Sequence, residues 1–221
     1  MNYYPVGLNI EGKKCLVVGG GAVGTRKVER LLQYEADVTV ISKQFSAPLI
    51  SLQKKSELKL LEKTYTDSDL DEVFLVIVAT DNQSLNRLIS NDAKNKNVLC
   101  NIADIPNNSD FILPSIVNRG DLTLTISTAG NSPAFAKKLR KDLADQFGEE
   151  YAVFLKLMGT IRKKLLAEKH DPDNHKKLFG TLIEKNLLEL IGQNDRQGID
   201  KLLQDTLGSR FIYKDLINKQ G

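Results

Sequence analysis

The sequence predicts an α/β protein in which a parallel sheet with helices is followed by a small α+β element and a helical C-terminal region. Apolar, strand-like runs alternate with amphipathic helical segments over residues 13–113. Glycines cluster directly after the first of these runs, at residues 19–24. From about residue 150 the pattern is helical and rich in lysine. The expected boundaries are 1–113, 114–147 and 148–221.

Five strands and their connecting helices account for the first region. The strands are expected at 14–18, 37–41, 58–62, 73–79 and 98–102, and the helices at 25–34, 48–55 and 82–94. The fourth strand is apolar throughout, as expected for a central parallel strand that is buried on both faces. This alternation predicts a doubly wound parallel sheet.

The pattern changes after this sheet. Strand-like residues at 111–114 and 122–126 flank a turn signal at 118–121. Ser132 and Pro133 then begin a helix as its N-cap and first residue, and the helix runs to about Phe147, where Gly148 can end it.

Composition excludes several classes of protein. Of the 221 residues, 41% are hydrophobic and 27% are charged, as in globular proteins. The formal net charge is only +3, which argues against nucleic acid as the main partner. No apolar run approaches the roughly 20 residues that span a membrane, and the first residues lack the pattern of a signal peptide. We therefore expect a cytoplasmic protein with no membrane partner.

The cysteines and histidines predict no metal centre. Cys15 and Cys100 fall in strand-like runs at a spacing that fits no zinc site, so free buried thiols are expected. His170 and His175 lie in a polar segment rich in Asp and Lys. A solvated loop or helix start is favoured there over a metal site.

The glycine cluster has the spacing G-x-G-x-x-G between a strand and a helix, which predicts the dinucleotide-binding turn of a Rossmann-like domain. In such a turn Gly19 leads the chain off the strand, Gly21 lets the backbone approach a pyrophosphate, and Gly24 lets the helix pack closely on the sheet. The pyrophosphate would lie at the helix N-terminus, where unpaired N–H groups and the helix dipole favour negative charge. The alternative is a glycine-rich turn without a ligand.

The ends of two further strands supply candidate cofactor contacts. Ser42-Lys43-Gln44 follows the second strand, where an acidic residue usually bonds the ribose 2′-hydroxyl. Lys43 could instead accommodate a 2′-phosphate, so these residues leave NAD and NADP open, with a slight preference for NADP. Thr80 and Asp81 follow the fourth strand and are expected to face the cofactor. A compatible alternative is that Asp81-Asn82 caps the next helix.

Two segments are candidates for chemistry. Asp104 follows the fifth strand, where a carboxylate could take up a proton as hydride leaves a substrate. The alternative is a turn aspartate two residues before Pro106. The polar loop at 127–133 could bind a carboxylate through backbone N–H groups, or could simply cap the following helix.

Together these segments resemble precorrin-2 dehydrogenase, the N-terminal part of siroheme synthase. The order and spacing of the matching segments hold over about residues 3–145. G-G-G-x-V-x-x-R-K combined with F-I-x-P-S and G-x-S-P is far more specific than a glycine fingerprint alone. The matching segments are 4–6 with 12–13, 17–27, 78–81 with Asn86, 100–104, 111–116 and 127–133.

The resemblance implies NAD-dependent oxidation of precorrin-2 to sirohydrochlorin in siroheme biosynthesis, and some members of the family also insert Fe²⁺. It implies that Asp104 acts in the dehydrogenation. It places NAD contacts on the glycine turn, particularly Ala22 and Val23, and on Lys43 and Gln44. Because the family is NAD-linked, NAD replaces NADP as the expected cofactor. The family is a homodimer, and its chains interlock through the element at 114–147.

The resemblance also indicates where the chain departs from the family. A serine in the corresponding loop of the fused enzymes can carry a phosphate, whereas this chain has Thr128. The chain ends at Gly221 without their methyltransferase domain, so we expect no synthesis of precorrin-2 from uroporphyrinogen III. His170 and His175 match no chelation residue, which leaves ferrochelatase activity open.

A substrate with many carboxylates predicts a cleft with cations and backbone N–H groups. For each cation the alternative is a solvated surface charge. The candidate substrate contacts are Ser127, Thr128, Asn131 and Arg119, with Lys137 and Lys138 nearby in sequence.

A nucleotide-sensing regulatory module is a different class of function that shares the glycine turn, but it needs no substrate loop.

Overall fold

The computed structural model describes residues 3–103, 109–167 and 172–217. The chain divides into two compact units, with the boundary between Leu113 and Pro114. The further separation of residues 114–147 from residues 148–221 stays a prediction.

The first unit is built on a five-stranded sheet in which every neighbouring pair is parallel. The strand order is β3-β2-β1-β4-β5. This arrangement confirms the predicted Rossmann-like α/β fold. The strands are β1 Lys14–Val18, β2 Asp37–Ser42, β3 Lys59–Glu62, β4 Leu75–Val78 and β5 Leu99–Ile102. The helices are α1 Ala22–Gln33, α2 Ala47–Lys54, α3 Gln83–Asn95 and a 3₁₀-helix at Asp67–Leu70.

Apolar side chains cover both faces of this sheet. Val17 of β1 packs in one layer with Val28 of α1, and Leu16 packs in the other layer with Ile89 of α3. Successive residues of a strand point to opposite faces. A strand between two helical layers therefore has to be apolar at every position, which explains the continuous runs in the sequence.

The direction of winding reverses between β1 and β4. From β1 the chain passes to β2 on one side, and β4 then pairs with the other side of β1. In open α/β sheets the carboxyl ends of the strands at such a reversal flank the ligand crevice. Val18 and Val78 are in register, so the crevice is expected at the carboxyl ends of β1 and β4, beside Gly19 and Ala79, the residues that follow them.

The second unit begins with an antiparallel hairpin and continues as helices. The hairpin consists of β6 Ser115–Arg119 and β7 Leu122–Ile126. Helix α4, Pro133–Gln146, packs on it through a small apolar cluster that includes Val117, Ile126 and Ala136. A larger apolar core lies among the remaining helices, which are α5 Glu150–Ala167, α6 Pro172–Glu184, α7 Leu187–Gly192, α8 Arg196–Leu207 and α9 Tyr213–Ile217.

One prediction about this region is wrong, and a second is correct only in part. The first hairpin strand lies at Ser115–Arg119 and not at 111–114, because Asn101 of β5 donates its amide to the Phe111 carbonyl oxygen at 2.8 Å and holds that segment beside the first sheet. His175 lies in the first turn of α6, in agreement with the predicted helix start, but it is buried, with 7% of its surface exposed, and is not solvated. His170 lies outside the described residues.

Both cysteines are free and buried, as predicted. Burial raises the pKa of the Cys15 thiol to about 11 and the pKa of the Cys100 thiol to about 12, because a buried thiolate is poorly solvated. The thiolate is the reactive form of cysteine. We expect neither thiol to react with a maleimide in the native protein near neutral pH, and both to react in denaturant. Mass spectrometry after labelling measures this, and rapid modification of the native protein would contradict it.

Candidate functional site

The three fingerprint glycines at the end of β1 meet different surroundings. A Cβ at Gly19, whose φ is +120°, would lie 2.2 Å from the Ala79 carbonyl oxygen. A Cβ at Gly24 would lie 2.0 Å from the Gly19 carbonyl oxygen. A Cβ at Gly21 would meet no protein atom within 4 Å. The protein backbone therefore closes the space at Gly19 and Gly24 and leaves it open at Gly21.

Helix α1 begins at Gly21 as its N-cap, without a hydrogen bond from any capping side chain in the described chain. Thr25 N–H donates to the Gly21 carbonyl oxygen at 2.9 Å, so the amides of Ala22, Val23 and Gly24 precede the first intrahelical hydrogen bond. No acidic residue lies in this first turn. Uncapped N–H groups at the positive end of the helix dipole, beside the open space at Gly21, fit a dinucleotide pyrophosphate.

The segment after β2 is held against the glycine turn. Ser46 N–H donates to the Gly20 carbonyl oxygen at 2.9 Å, and the Ser46 and Thr25 hydroxyl oxygens lie 2.7 Å apart. A Cβ at Gly20 would lie 2.2 Å from the Gln44 carbonyl oxygen. The second glycine of the cluster, which the fingerprint leaves unspecified, is therefore required for this contact.

Lys43 and Gln44 are exposed beside the glycine turn. In the part of the chain that the structure describes, Lys43 forms no ion pair. Ser42, at the end of β2, is in register with Glu62 of β3. The carboxylate at this edge of the sheet therefore comes from β3, and β2 itself supplies none. These positions support the predicted cofactor contacts, which remain predictions.

The residues after β4 form the other wall of the crevice. The Thr80 hydroxyl donates to Asn86 Oδ1 at 2.5 Å, and Asn86 Nδ2 donates to the Thr80 carbonyl oxygen at 3.0 Å. The Asn82 side chain caps α3 by accepting a hydrogen bond from Leu85 N–H at 3.1 Å. The cap is therefore Asn82, and the exposed Asp81 carboxylate is not used by the helix.

Asp104 lies outside the described residues. The preceding residue, Ala103, donates its N–H to the Val78 carbonyl oxygen at 2.8 Å. Ile102 N–H donates to the Ser109 hydroxyl at 2.9 Å. Ala103 thus lies at the carboxyl ends of β4 and β5, and the role of Asp104 stays a prediction.

The loop between β7 and α4 is an ordered turn. The hydroxyls of Ser127 and Thr128 accept hydrogen bonds from backbone N–H groups of the loop at 3.1 and 3.2 Å. Asn131 N–H donates to the Thr128 carbonyl oxygen at 2.9 Å. Ser132 accepts a hydrogen bond from Phe135 N–H at 3.3 Å, which confirms the predicted N-cap. The exposed Ser127 and Asn131 remain candidate carboxylate contacts.

Arg119 is used within the second unit. Its Nη2 donates to the Ala144 carbonyl oxygen at 2.8 Å, and its Nε lies 3.4 Å from Glu149 Oε1. Only 19% of the side chain is exposed. A cation is favourable at the C-terminal end of α4, so the contacts give Arg119 a structural role in joining the hairpin to that helix. Its predicted role as a substrate contact stays a prediction.

Two residues of the site, Gly20 and Asn86, fall in the segments that carry the resemblance, but the sequence predicts no role for them. Gly20 could have been found as the extra glycine inside the fingerprint. Asn86 could have been found as a polar residue on the buried face of α3, in line with Ile89 and Ala93. Among residues 3–103, 109–167 and 172–217, no cluster of three or more His, Cys, Asp or Glu side chains could hold a metal ion.

Comparisons with known proteins agree with this geometry. The family model described as putative NAD(P)-binding matches residues 6–115, and the model described as sirohaem biosynthesis protein central matches residues 119–146. The siroheme synthase of Nitrosococcus oceani is 40% identical over 165 residues, which are 75% of this chain and 35% of that protein. The siroheme synthase of Thioalkalivibrio sulfidiphilus is 32% identical over 214 residues, which are 95% of this chain and 44% of that protein.

A solved structure covers both units. SirC, a precorrin-2 dehydrogenase, superimposes with a TM-score of 0.77 at 28% identity, covering 91% of this chain and 100% of that chain. The chain belongs to the siroheme synthase and precorrin-2 dehydrogenase family. It spans less than half the length of the two siroheme synthases, 35% and 44%. Membership of this family confirms the predicted nicotinamide dinucleotide cofactor, since the matched family model is an NAD(P)-binding one.

Proposed function

We propose that the protein oxidises precorrin-2 to sirohydrochlorin with NAD⁺ as the hydride acceptor, in siroheme biosynthesis. The main support is that the fold matches the whole length of a precorrin-2 dehydrogenase, while the glycine turn retains the open space that a dinucleotide needs. A purely nucleotide-sensing module is not favoured, because the likeness extends through the second unit, which contains the candidate substrate loop at 127–133.

Different residues of the first unit are proposed to contact different parts of the cofactor. Bound NAD⁺ supplies the hydride acceptor. The amides of Ala22 and Val23, with Gly24 behind them, would hold the pyrophosphate, and Lys43 and Gln44 would lie near the adenosine ribose. Thr80 and Asp81 line the crevice from β4. The uncapped start of α1 and the reversal of strand order between β1 and β4 support this assignment.

The reaction removes one hydride and one proton from precorrin-2 and yields NADH, sirohydrochlorin and a released proton. In this proposal Asp104 receives the proton, because it follows Ala103 at the carboxyl ends of β4 and β5. The extended conjugation of the product favours the reaction, so the protein mainly orients the two reactants.

The second unit is proposed to bind the substrate carboxylates and to form the dimer. Ser127, Thr128 and Asn131, with Lys137 and Lys138 exposed on α4, offer polar and cationic contacts. The described hairpin has two strands, so each strand has one open edge that a second copy could cover. A homodimer acting in the cytoplasm is part of this proposal. No helix among the described residues is long and apolar enough to cross a membrane.

An anaerobic assay with precorrin-2 and NAD⁺ tests the proposed reaction. We expect NADH and sirohydrochlorin to appear in equal amounts, followed by absorbance of the reduced nicotinamide and of the product. Fe²⁺ or Co²⁺ is added in a second stage, and a metallated spectrum reports chelation separately. Protein that binds NADH but oxidises no precorrin-2 would contradict the proposal and favour the sensing module.

A further inference from the structure

We infer that Asn86 is a positioning residue for the dinucleotide site, and that it acts by holding Thr80 in the wall of the crevice. This inference rests on the proposed function only in requiring that the crevice binds NAD. Asn86 lies in the first half of α3 and is 4% exposed. Its side chain accepts a hydrogen bond from the Thr80 hydroxyl at 2.5 Å and donates one to the Thr80 carbonyl oxygen at 3.0 Å.

The oxygen and the nitrogen of the buried Asn86 amide are thus both hydrogen-bonded to Thr80. A buried amide is unfavourable unless its donor and its acceptor are both paired. An apolar side chain would fill the same buried face of α3, as Ile89 and Ala93 do one and two turns later. The hydrogen bonds to Thr80 therefore explain why a polar residue occupies this position.

Starting the helix does not require Asn86. The cap of α3 is Asn82, which accepts a hydrogen bond from Leu85 N–H at 3.1 Å. Asn82 N–H in turn donates to the Thr80 hydroxyl at 3.2 Å. The Thr80 hydroxyl is thereby shared between the start of the helix and Asn86, and its position is determined from both sides.

The position of Thr80 matters because the preceding residue touches the glycine turn. Ala79 N–H donates to the Val18 carbonyl oxygen at 2.8 Å. The Ala79 carbonyl oxygen is so close to Gly19 that it would lie 2.2 Å from a Cβ there. A shift of Thr80 moves this carbonyl group against Gly19, which alters the turn that receives the pyrophosphate.

The test is titration of the protein with NADH, followed by nicotinamide fluorescence. We expect Asn86→Ala, which removes both hydrogen bonds to Thr80, to weaken NADH binding about tenfold and to raise the KM for NAD⁺ by a similar factor. At saturating NAD⁺ the kcat is expected to stay within about threefold of the wild type, since the variant weakens cofactor binding equally in the ground state and the transition state.

Two further variants complete the design. Asn91→Ala is the matched control, because Asn91 is an exposed asparagine of the same helix with no side-chain hydrogen bond in the described chain, and it should bind NADH as the wild type does. Asn86→Asp preserves the size and the acceptor but cannot donate to the Thr80 carbonyl oxygen, and should also bind NADH more weakly. It serves as the test variant if Asn86→Ala does not fold.

The outcomes separate positioning from a merely structural role. A structural role lowers the melting temperature and leaves the Kd for NADH unchanged in the folded protein. If Asn86→Ala and Asn86→Asp both bind NADH as tightly as Asn91→Ala, the inference is overturned. Wild-type protein that binds NADH without oxidising precorrin-2 overturns the proposed reaction alone, because this titration needs no tetrapyrrole. Wild-type protein that binds no NADH overturns both.

Discussion

Gly21→Ala is expected to abolish dinucleotide binding while preserving the fold, whereas Gly24→Ala is expected to damage the fold itself. At Gly21 the backbone has a φ of −82°, which alanine adopts readily, and a Cβ would meet no protein atom within 4 Å. The added methyl group would occupy the space through which the pyrophosphate approaches the backbone. We expect the affinity for NADH to fall by at least about 100-fold, with little change in the free energy of unfolding.

The opposite result is expected at Gly24. Its Cβ would lie 2.0 Å from the Gly19 carbonyl oxygen, a backbone atom that cannot rotate away. Helix α1 would have to move off the sheet, and overpacking of this kind costs about 3 kcal/mol in the free energy of unfolding. A decrease in the free energy of unfolding would indicate the steric clash, since a glycine-to-alanine change inside a helix otherwise raises that free energy by about 1 kcal/mol.

Gly159 provides the matched control for both variants. It is an exposed glycine within α5, and a Cβ there would meet nothing within 4 Å. Gly159→Ala should therefore raise the free energy of unfolding slightly and leave NADH binding unchanged. Denaturant unfolding and NADH titration of the three variants measure both quantities. Tight NADH binding by Gly21→Ala would show that the pyrophosphate does not lie at this turn.

The strands of the first unit could be predicted because a strand that is buried on both faces of the sheet is a continuous apolar run in the sequence. β1 and β4 are apolar at nearly every position, and their observed bounds fall within or at the predicted runs. The same rule misled at 111–114. Phe111 is apolar because it packs against the apolar layer of the first unit that contains Val17 and Val28. The hydrogen bond from Asn101 to the Phe111 carbonyl oxygen is a tertiary contact that a local sequence pattern cannot predict.

The residues of the candidate site also differ in how far the sequence could predict them. The spacing of Gly19, Gly21 and Gly24 predicts the glycine turn, and the structure shows which of these positions has room for a Cβ. The prediction of Arg119 as a substrate contact rested on its charge and on its nearness in sequence to the loop at 127–133. The hydrogen bond from its guanidinium to the Ala144 carbonyl oxygen, near the C-terminal end of α4, is a tertiary contact that the sequence pattern does not record. The link between Asn86 and Thr80 depends on how α3 returns over the end of β4, so it emerges only with the folded chain.

Asp104→Asn is expected to lower the kcat for precorrin-2 oxidation by about 100-fold to 10,000-fold, the usual contribution of a positioned general base. The amide has nearly the size of the carboxylate but cannot take up a proton. Binding of NADH should stay within about threefold of the wild type, because the predicted cofactor contacts lie on the glycine turn and after β2. Anaerobic turnover with precorrin-2 and NAD⁺ gives the kcat, and fluorescence titration gives the affinity.

A change of the same type elsewhere controls for the loss of one negative charge. Asp205 is exposed on α8 and forms no ion pair in the described chain, so Asp205→Asn should oxidise precorrin-2 at the wild-type rate. If Asp104 serves only as a turn residue before Pro106, then Asp104→Asn will reduce the melting temperature and leave kcat unchanged. A normal kcat would therefore assign the proton to another group or to solvent. A large loss of kcat with normal NADH binding would support a chemical role for this carboxylate, because a misfolded crevice would weaken binding as well.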